Sequence, residues 1–309
     1  MENKLNLPLK KKKNEAESPR LDPLMRALKA LHSAGAPETM TEEELEHQRR
    51  SQEVLGRLTA PMAGMDYEEF SLGGMNAAWM QLKAPHAILY CHGGGYTSGN
   101  LGYARVLASK LAHVTGYDVL SFEYRLAPEH PYPAAVEDAL RAWDHLMLLG
   151  YGARDVVLAG DSAGGNLALV LCHRLKAGRR LPGALVLMSP WTDMTMSGAS
   201  YAERAESDPM LTPEYIEAVR TAYAGGRDYA SPDLSPLFAD LTGFPPPLIQ
   251  AGDHEILYSD AEMLCHALER AGVPCRFEVS EGMWHVFQMF PLRKAAAAME
   301  SVARFLLER

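Results

Sequence analysis

Cysteine is scarce in this chain: its 309 residues hold four, Cys91, Cys172, Cys265 and Cys275. None stands in a CxxC pair or at zinc-ligand spacing, so neither a disulfide scaffold nor a metal site is expected. The thiols read as reduced, which favours the cytoplasm. Long apolar runs are lacking too. No stretch approaches the roughly 20 residues a membrane-spanning helix needs. The basic tract Lys10 to Lys13 has no apolar segment behind it, so it reads as a solvated tail and not a secretory signal, and no stable membrane anchoring is expected. Positive charge is short as well: 30 Lys and Arg against 39 Asp and Glu leave a formal net charge of −9. That balance argues against a surface built to neutralise phosphates, and so against a nucleic-acid partner.

What is present reads as one large α/β domain. A hydrophobic fraction of 47% and a charged fraction of 22% are those of an ordinary globular protein. Two amphipathic patterns open the chain, "DPLMRALKALHSAG" and "TEEELEHQRRSQEVLGRL", the second behind Thr41 as cap. A hairpin follows, with Gly73 and Gly74 at its tip. From "AILYC" onward, strand and helix patterns alternate in the βα rhythm of a mostly parallel sheet. The rhythm breaks at 190–236 and then resumes. These shifts set a helical preface, 1–60, apart from the α/β alternation of 61–309, and make the interruption at about 190–236 a candidate lid or pocket wall. An insertion leaving from strand ends lies over the face where open α/β sheets bind ligands.

Chemistry enters at "GDSAGG", Gly160 to Gly165, which satisfies G-x-S-x-G between the strand "DVVLA" and a helix beginning near Ala163. A serine at such a turn exposes its hydroxyl at the carboxyl edge of the sheet, and small neighbours keep side chains from colliding around it. Ser162 then needs a base and an acid that orients the base, in the order Ser, acid, His. Asp253, just past the strand "PPLIQAG", is the acid candidate. Glu255, two residues on, is the alternative. Asp260 reads as a helix cap or a solvent-facing residue, and His254 as turned away from Asp253. His285 in "EGMWHVF", on the loop before the last helix, is the histidine placed to act as base. His266 falls inside a helix.

The triple glycine of "HGGG", His92 to Gly95, follows a strand and precedes a helix. Backbone N–H groups with no Cβ in front of them suit an oxyanion hole, so Gly94, Gly95 and Ala163 are the expected donors, with His92 pinning the loop. The stretch is neither G-x-G-x-x-G nor a Walker A loop, so no nucleotide is expected. Trp191, Met194, Met210, Tyr215 and Trp284 either line a pocket or pack the core.

These residues resemble the hormone-sensitive-lipase-like carboxylesterases, a branch of the α/β-hydrolase fold. "HGGGY", "EYRLAPEHPYPAAVEDA", "GDSAGG" and "SPDLSPLFADLTGFPPPLIQAGDHEIL" ending in "MWHVF" carry the resemblance over roughly 67–309. It implies nucleophile Ser162, acid Asp253, base His285 and an oxyanion hole from Gly94, Gly95 and Ala163. It also implies an eight-stranded, mostly parallel sheet with one early antiparallel strand, helices on both faces and a small helical cap, made of an N-terminal helical cap segment, 1–60, and an insertion at about 190–236 in a catalytic domain of 61–309. Arg125, Glu129 and His130 read as shaping a turn. The implied activity is hydrolysis of short- to medium-chain acyl esters through an acyl-enzyme, with no metal or cofactor and a small-molecule ester as partner. The same triad could take an amide, lactone or thioester, and the fold also hosts non-catalytic small-molecule receptors. The final strand and helix could pair between subunits in a homodimer, as in some relatives.

Overall fold

Alternation of apolar side chains along each strand gives the sheet two faces, and both are covered. The computed structural model describes residues 66–81 and 83–309, with Pro23, Met25, Arg26, Thr41, Glu43, Leu45, Glu46, Arg49 and Arg50 ahead of them. Apart from Thr41, which precedes the second helix, the described residues of the two opening patterns are helical, and Leu45 N–H donates to the Thr41 carbonyl at 3.0 Å. The rest of segment 1–60, the lysine tract included, lies outside the described residues.

Eight strands form one sheet in the order β1-β2-β4-β3-β5-β6-β7-β8. They are β1 Asp66–Leu72, β2 Met75–Gln81, β3 Ala87–Cys91, β4 Asp118–Phe122, β5 Val156–Asp161, β6 Ala184–Met188, β7 Pro247–Gly252 and β8 Arg276–Ser280. Strand β2 runs antiparallel to β1 and β4, and all other pairs are parallel. The helices between them are α1 Leu101–Thr115, α2 Ala134–Leu148, α3 Ala163–Ala177, α4 Ser200–Glu203, α5 Pro213–Ala224, α6 Tyr258–Arg270 and α7 Arg293–Leu307.

The central strands send successive residues to opposite faces. Leu89, Leu158, Leu187 and Ile249 join the core under α2, α3 and α6. Ile88, Tyr90, Val157, Val186 and Leu248 join the one under α1 and α7. The α/β-hydrolase architecture expected from the sequence is the one observed. Among the described residues no helix is long and apolar enough to cross a membrane.

Between β6 and β7 the chain leaves the sheet and builds α4 and α5. Thr212 caps α5 by accepting Tyr215 N–H, with Pro213 at its first turn. This excursion is anchored by Asp260, which the sequence reading put at a helix cap or in solvent. Asp260 is instead fully buried, and its Oδ2 accepts N–H from Thr192 at 2.7 Å and Asp193 at 2.9 Å. The correction has a physical source: the loop leaving β6 has unpaired N–H groups over the start of α6, and a carboxylate there satisfies two of them.

Burial pushes the Asp260 carboxyl up to about 8, against the pull of those two donors. A carboxyl raised in the folded state gives stability that is complete below its unfolded value, about 4. That stability is lost as pH rises through the folded value. Asp260→Asn keeps an acceptor and removes the titration. It should therefore flatten the fall of Tm between about pH 5 and pH 8 seen by scanning calorimetry. An unchanged slope would refute that role.

Candidate active site

β5 ends at Asp161 and α3 begins at Ala163, which leaves Ser162 alone in the turn at φ 54°, ψ −123°. A left-handed φ on a residue with a Cβ costs on the order of 1–3 kcal/mol. The surroundings hold it there. Ser162 N–H donates to the Met188 carbonyl at 3.0 Å, and the Ser162 carbonyl accepts N–H from Trp191 at 3.1 Å and Asn166 at 3.2 Å. A Cβ on Gly160 would stand 2.2 Å from the Gly164 carbonyl oxygen, and one on Gly164 would stand 2.0 Å from that of Cys91. Only glycine lets α3 start this close to the end of β3, so the serine sits at the positive end of the helix.

The glycine loop after β3 is tied to the same turn. Asp161, fully buried, accepts Gly93 N–H at 2.9 Å and the Tyr90 hydroxyl at 2.5 Å on Oδ1, and the Tyr103 hydroxyl at 2.6 Å on Oδ2. Burial pushes this carboxyl up, and the two tyrosine hydroxyls pull it back. The Gly94 carbonyl accepts N–H from Thr97 at 3.1 Å and Ser98 at 3.0 Å, and the Ser98 hydroxyl at 2.9 Å. Since C=O and N–H point opposite ways across a trans peptide, drawing the Gly94 carbonyl into this turn turns the Gly95 N–H outward. Positive φ at Gly94 (116°) and Gly95 (63°) makes that path available.

His92 braces the loop from behind. Its Nδ1 lies 2.8 Å from the Gly93 carbonyl, which can only accept, and its ring stacks on Tyr124 with centroids 4.2 Å apart. Burial holds its pKa below the usual histidine value.

His285 follows β8, and its Nδ1 stands 2.8 Å from Glu255 Oε2, with the two side chains 6% and 0% exposed. Asp253, expected from the sequence at this place, is elsewhere. Its Oδ1 accepts Gly282 N–H at 2.6 Å and faces His254 Nδ1 at 2.7 Å, so His254 is not turned away from it. The partner of His285 is corrected from Asp253 to Glu255, and the turn explains why. Glu255 Oε1 accepts Gly252 N–H at 2.9 Å. The chain therefore curls back over the end of β7, and the third residue of the turn, not the first, points at the imidazole. Asp253 straps the loop that carries His285.

Asp208 and Asp161 carry no signal that sequence reading could have weighed for this role. Asp208 Oδ1 accepts N–H from Met210 (2.8 Å) and Leu211 (3.0 Å), and Oδ2 accepts Ile256 N–H at 2.9 Å. It thereby joins the excursion to the Glu255 turn. Burial pushes its carboxyl up to about 6, and the nearby His285 opposes the shift. Of the aromatics and methionines left open, Trp191 and Met194 are buried in the main core and Trp284 in a smaller cluster. Arg125 donates through Nε to both oxygens of buried Asp138, which fits its reading as a turn-shaping residue. His266 is exposed on α6. Among the described residues, no group of three His, Cys, Asp or Glu is placed to hold a metal ion.

Ser162, His285, Glu255 and the glycine loop thus stand at the carboxyl ends of β5, β8, β7 and β3, one edge of one sheet. This is the edge where open α/β sheets place ligands.

The family model of the alpha/beta hydrolase fold matches residues 88–289. An acetyl-hydrolase of Streptomyces hygroscopicus is 38% identical over 262 residues, covering 83% of this chain and 86% of its own. An esterase of Acinetobacter venetianus is 37% identical over 229 residues, covering 73% and 76%. The crystal structure of an esterase from the bacterial hormone-sensitive lipase family superimposes with a TM-score of 0.85 at 34% identity, over 92% of this chain and 97% of that one. With the Ser162 turn, glycine loop and late histidine on one sheet edge and these relatives on both chain and fold, the chain belongs to the hormone-sensitive-lipase-like carboxylesterases of the alpha/beta hydrolase fold, and is a carboxylic ester hydrolase.

Proposed function

We propose that this carboxylesterase works through Ser162 as nucleophile, His285 as general base and Glu255 as the acid that orients and charges the base. The observation that carries the reading is the buried 2.8 Å contact between His285 Nδ1 and Glu255 Oε2. A carboxylate on Nδ1 fixes the tautomer that leaves Nε2 free to accept a proton, and it stabilises the imidazolium once formed. Nε2 takes the Ser162 proton as Oγ attacks the ester carbonyl, and the oxyanion is held by N–H of Gly94, Gly95 and Ala163. His285 then protonates the departing alcohol, and water, deprotonated by the same nitrogen, releases the acid from the acyl-enzyme. Each oxyanion donor is worth about 3–4 kcal/mol in the transition state.

The acyl group is short to medium. Helix α5 supports this reading by lying close over the glycine loop: a Cβ on Gly95 would stand 2.9 Å from both Tyr215 Oη and Val219 Cγ1. A relative named as an acetyl-hydrolase points the same way. The insertion at 190–236 serves as a cap over this edge, with α5 against the glycine loop.

Turnover of p-nitrophenyl esters from two to sixteen acyl carbons tests both points. Activity should peak at the short end and disappear with Ser162→Ala; a maximum at the longest chains would overturn the acyl assignment, and a fully active Ser162→Ala the mechanism. The two carboxylates are separated by a second pair of variants. Glu255→Gln should lower kcat about 10²- to 10⁴-fold, in line with loss of the orienting acid in other triads, while Asp253→Asn, acting only through the loop, should fall by roughly tenfold at most. Equal losses would return Asp253 to the triad.

A further inference from the structure

The glycine loop is braced from a direction the proposed mechanism does not use. Arg49, in the N-terminal helical segment, reaches across 48 positions of sequence to donate through Nε to the Thr97 carbonyl at 2.8 Å. One of its terminal nitrogens donates to the Ala127 carbonyl at 3.0 Å and to Glu129 Oε2 at 2.9 Å, and the other to Glu129 Oε1 at 2.7 Å. The guanidinium is thus planted between two backbone segments, with a carboxylate setting its plane. Lysine, with one nitrogen, could not make this set.

Both segments bear on the oxyanion donors. Thr97 and Ser98 N–H form the turn that draws in the Gly94 carbonyl and so aims the Gly95 N–H. Ala127 N–H donates to the Tyr96 carbonyl at 2.8 Å, which fixes the Tyr96–Thr97 peptide of the same loop. A run with three consecutive glycines has more backbone freedom than any other kind, and its ordering must come from outside contacts. On one side these contacts are the stack of Tyr96 on Tyr223 of α5, with centroids 3.6 Å apart, and the Tyr96 hydroxyl on Asn166 Oδ1 at 2.7 Å. Arg49 supplies them on the other. The ion pair also holds Glu129 well below the ordinary carboxylate range, so the clamp stays charged across the working pH.

We infer that Arg49 is a positioning residue of the oxyanion hole: through the Thr97 and Ala127 carbonyls it sets the glycine loop, which makes the N-terminal segment part of the catalytic apparatus and not only a cover. The inference rests on the oxyanion-hole reading above. A partly exposed ion pair by itself adds little to stability, so the effect belongs in kcat and not in the folding equilibrium.

The test uses full-length Arg49→Ala, Arg49→Lys and Glu129→Gln, assayed on p-nitrophenyl butyrate well below each variant's own Tm, with wild type and Ser162→Ala alongside. Arg49→Ala should lower kcat roughly 10- to 100-fold, short of the loss from deleting an oxyanion donor outright, with KM changed by less than about twofold, the pattern of an interaction made only in the transition state. Inhibition by a trifluoromethyl ketone, whose adduct with a serine carries the oxyanion, should weaken by the same factor. Arg49→Lys and Glu129→Gln should fall between wild type and Arg49→Ala, and millimolar methylguanidinium should restore part of the Arg49→Ala activity. Should kcat stay at the wild-type value in all three variants, or kcat fall while inhibitor affinity holds, Arg49 does not position the hole. If Arg49→Ala does not fold, the other two variants decide by the same measures. A Ser162→Ala protein that still turns over would instead overturn the serine mechanism, and this inference with it.

Discussion

Backbone meets backbone at Gly164. The first turn of α3 packs so close to the Cys91 and His92 carbonyls that a methyl group at that position would lie 2.0 Å and 2.5 Å from them. No side-chain adjustment relieves such a contact, because both sides of it are main chain. The approach fixes two things together, the strained turn that presents Ser162 and the loop after β3 that faces it. Asp161 welds them further by placing a carboxylate from the elbow under Gly93 N–H. Serine and glycine loop are therefore one rigid unit built on neighbouring parallel strands, β3 and β5. Preorganisation of this kind lets donors act on a developing charge without reorganising.

The other half of the site is assembled from farther along the sheet, and by different means. The turn after β7 and the loop after β8 hold each other through main-chain and carboxylate contacts: Asp253 N–H to the Ser280 carbonyl, His254 N–H to that of Met283, Gly282 N–H to Asp253. Their relation to Ser162 comes from the loop leaving β6. The Ser189 N–H donates to the Gln250 carbonyl at 2.7 Å, and the Ser189 hydroxyl accepts Val286 N–H at 3.0 Å, one residue past His285. Since Ser162 N–H donates to the neighbouring Met188 carbonyl, one short segment of chain ties the Ser162 turn, the Glu255 turn and the His285 loop together. Buried main-chain groups that must be paired are here paired across the site.

Much of this was legible in the sequence, for reasons that also explain what was not. Ser162, His285 and the glycines could be singled out, and stand at one sheet edge, because their signals are local: a glycine where no Cβ fits, a serine between strand and helix, a histidine on a late loop. The sheet was legible because period-2 and period-3.6 patterns record burial directly. The choice between Asp253 and Glu255 was not, because it depends on which way a four-residue turn curls, decided by a hydrogen bond from Gly252 that leaves no compositional trace. Asp260 was misplaced for a similar reason, its partners lying 67 and 68 positions away. Arg49, with partners up to 80 positions off, reads in sequence as an ordinary helix-surface cation. Side chains whose meaning lies in distant backbone groups are the ones a single sequence leaves silent.

Charge is segregated across the site in the sense the proposed chemistry requires. Buried carboxylates gather on the side of the base: Glu255 on Nδ1, and Asp208 close enough for His285 to pull its pKa down. The proton that His285 takes up in the proposed reaction is therefore met by the Glu255 carboxylate across the ring, on Nδ1. The same charge would repel an oxyanion, and on the side of the glycine loop it is replaced by N–H groups and the start of α3. Asp161 is the exception that the arrangement must neutralise, since it adjoins Ser162 in the chain and lies beneath the loop. Its two oxygens take three donors, and burial drives it towards the uncharged form. Asp161 so engaged holds the loop in shape through three hydrogen bonds that run from the end of β5 to β3, the glycine loop and α1.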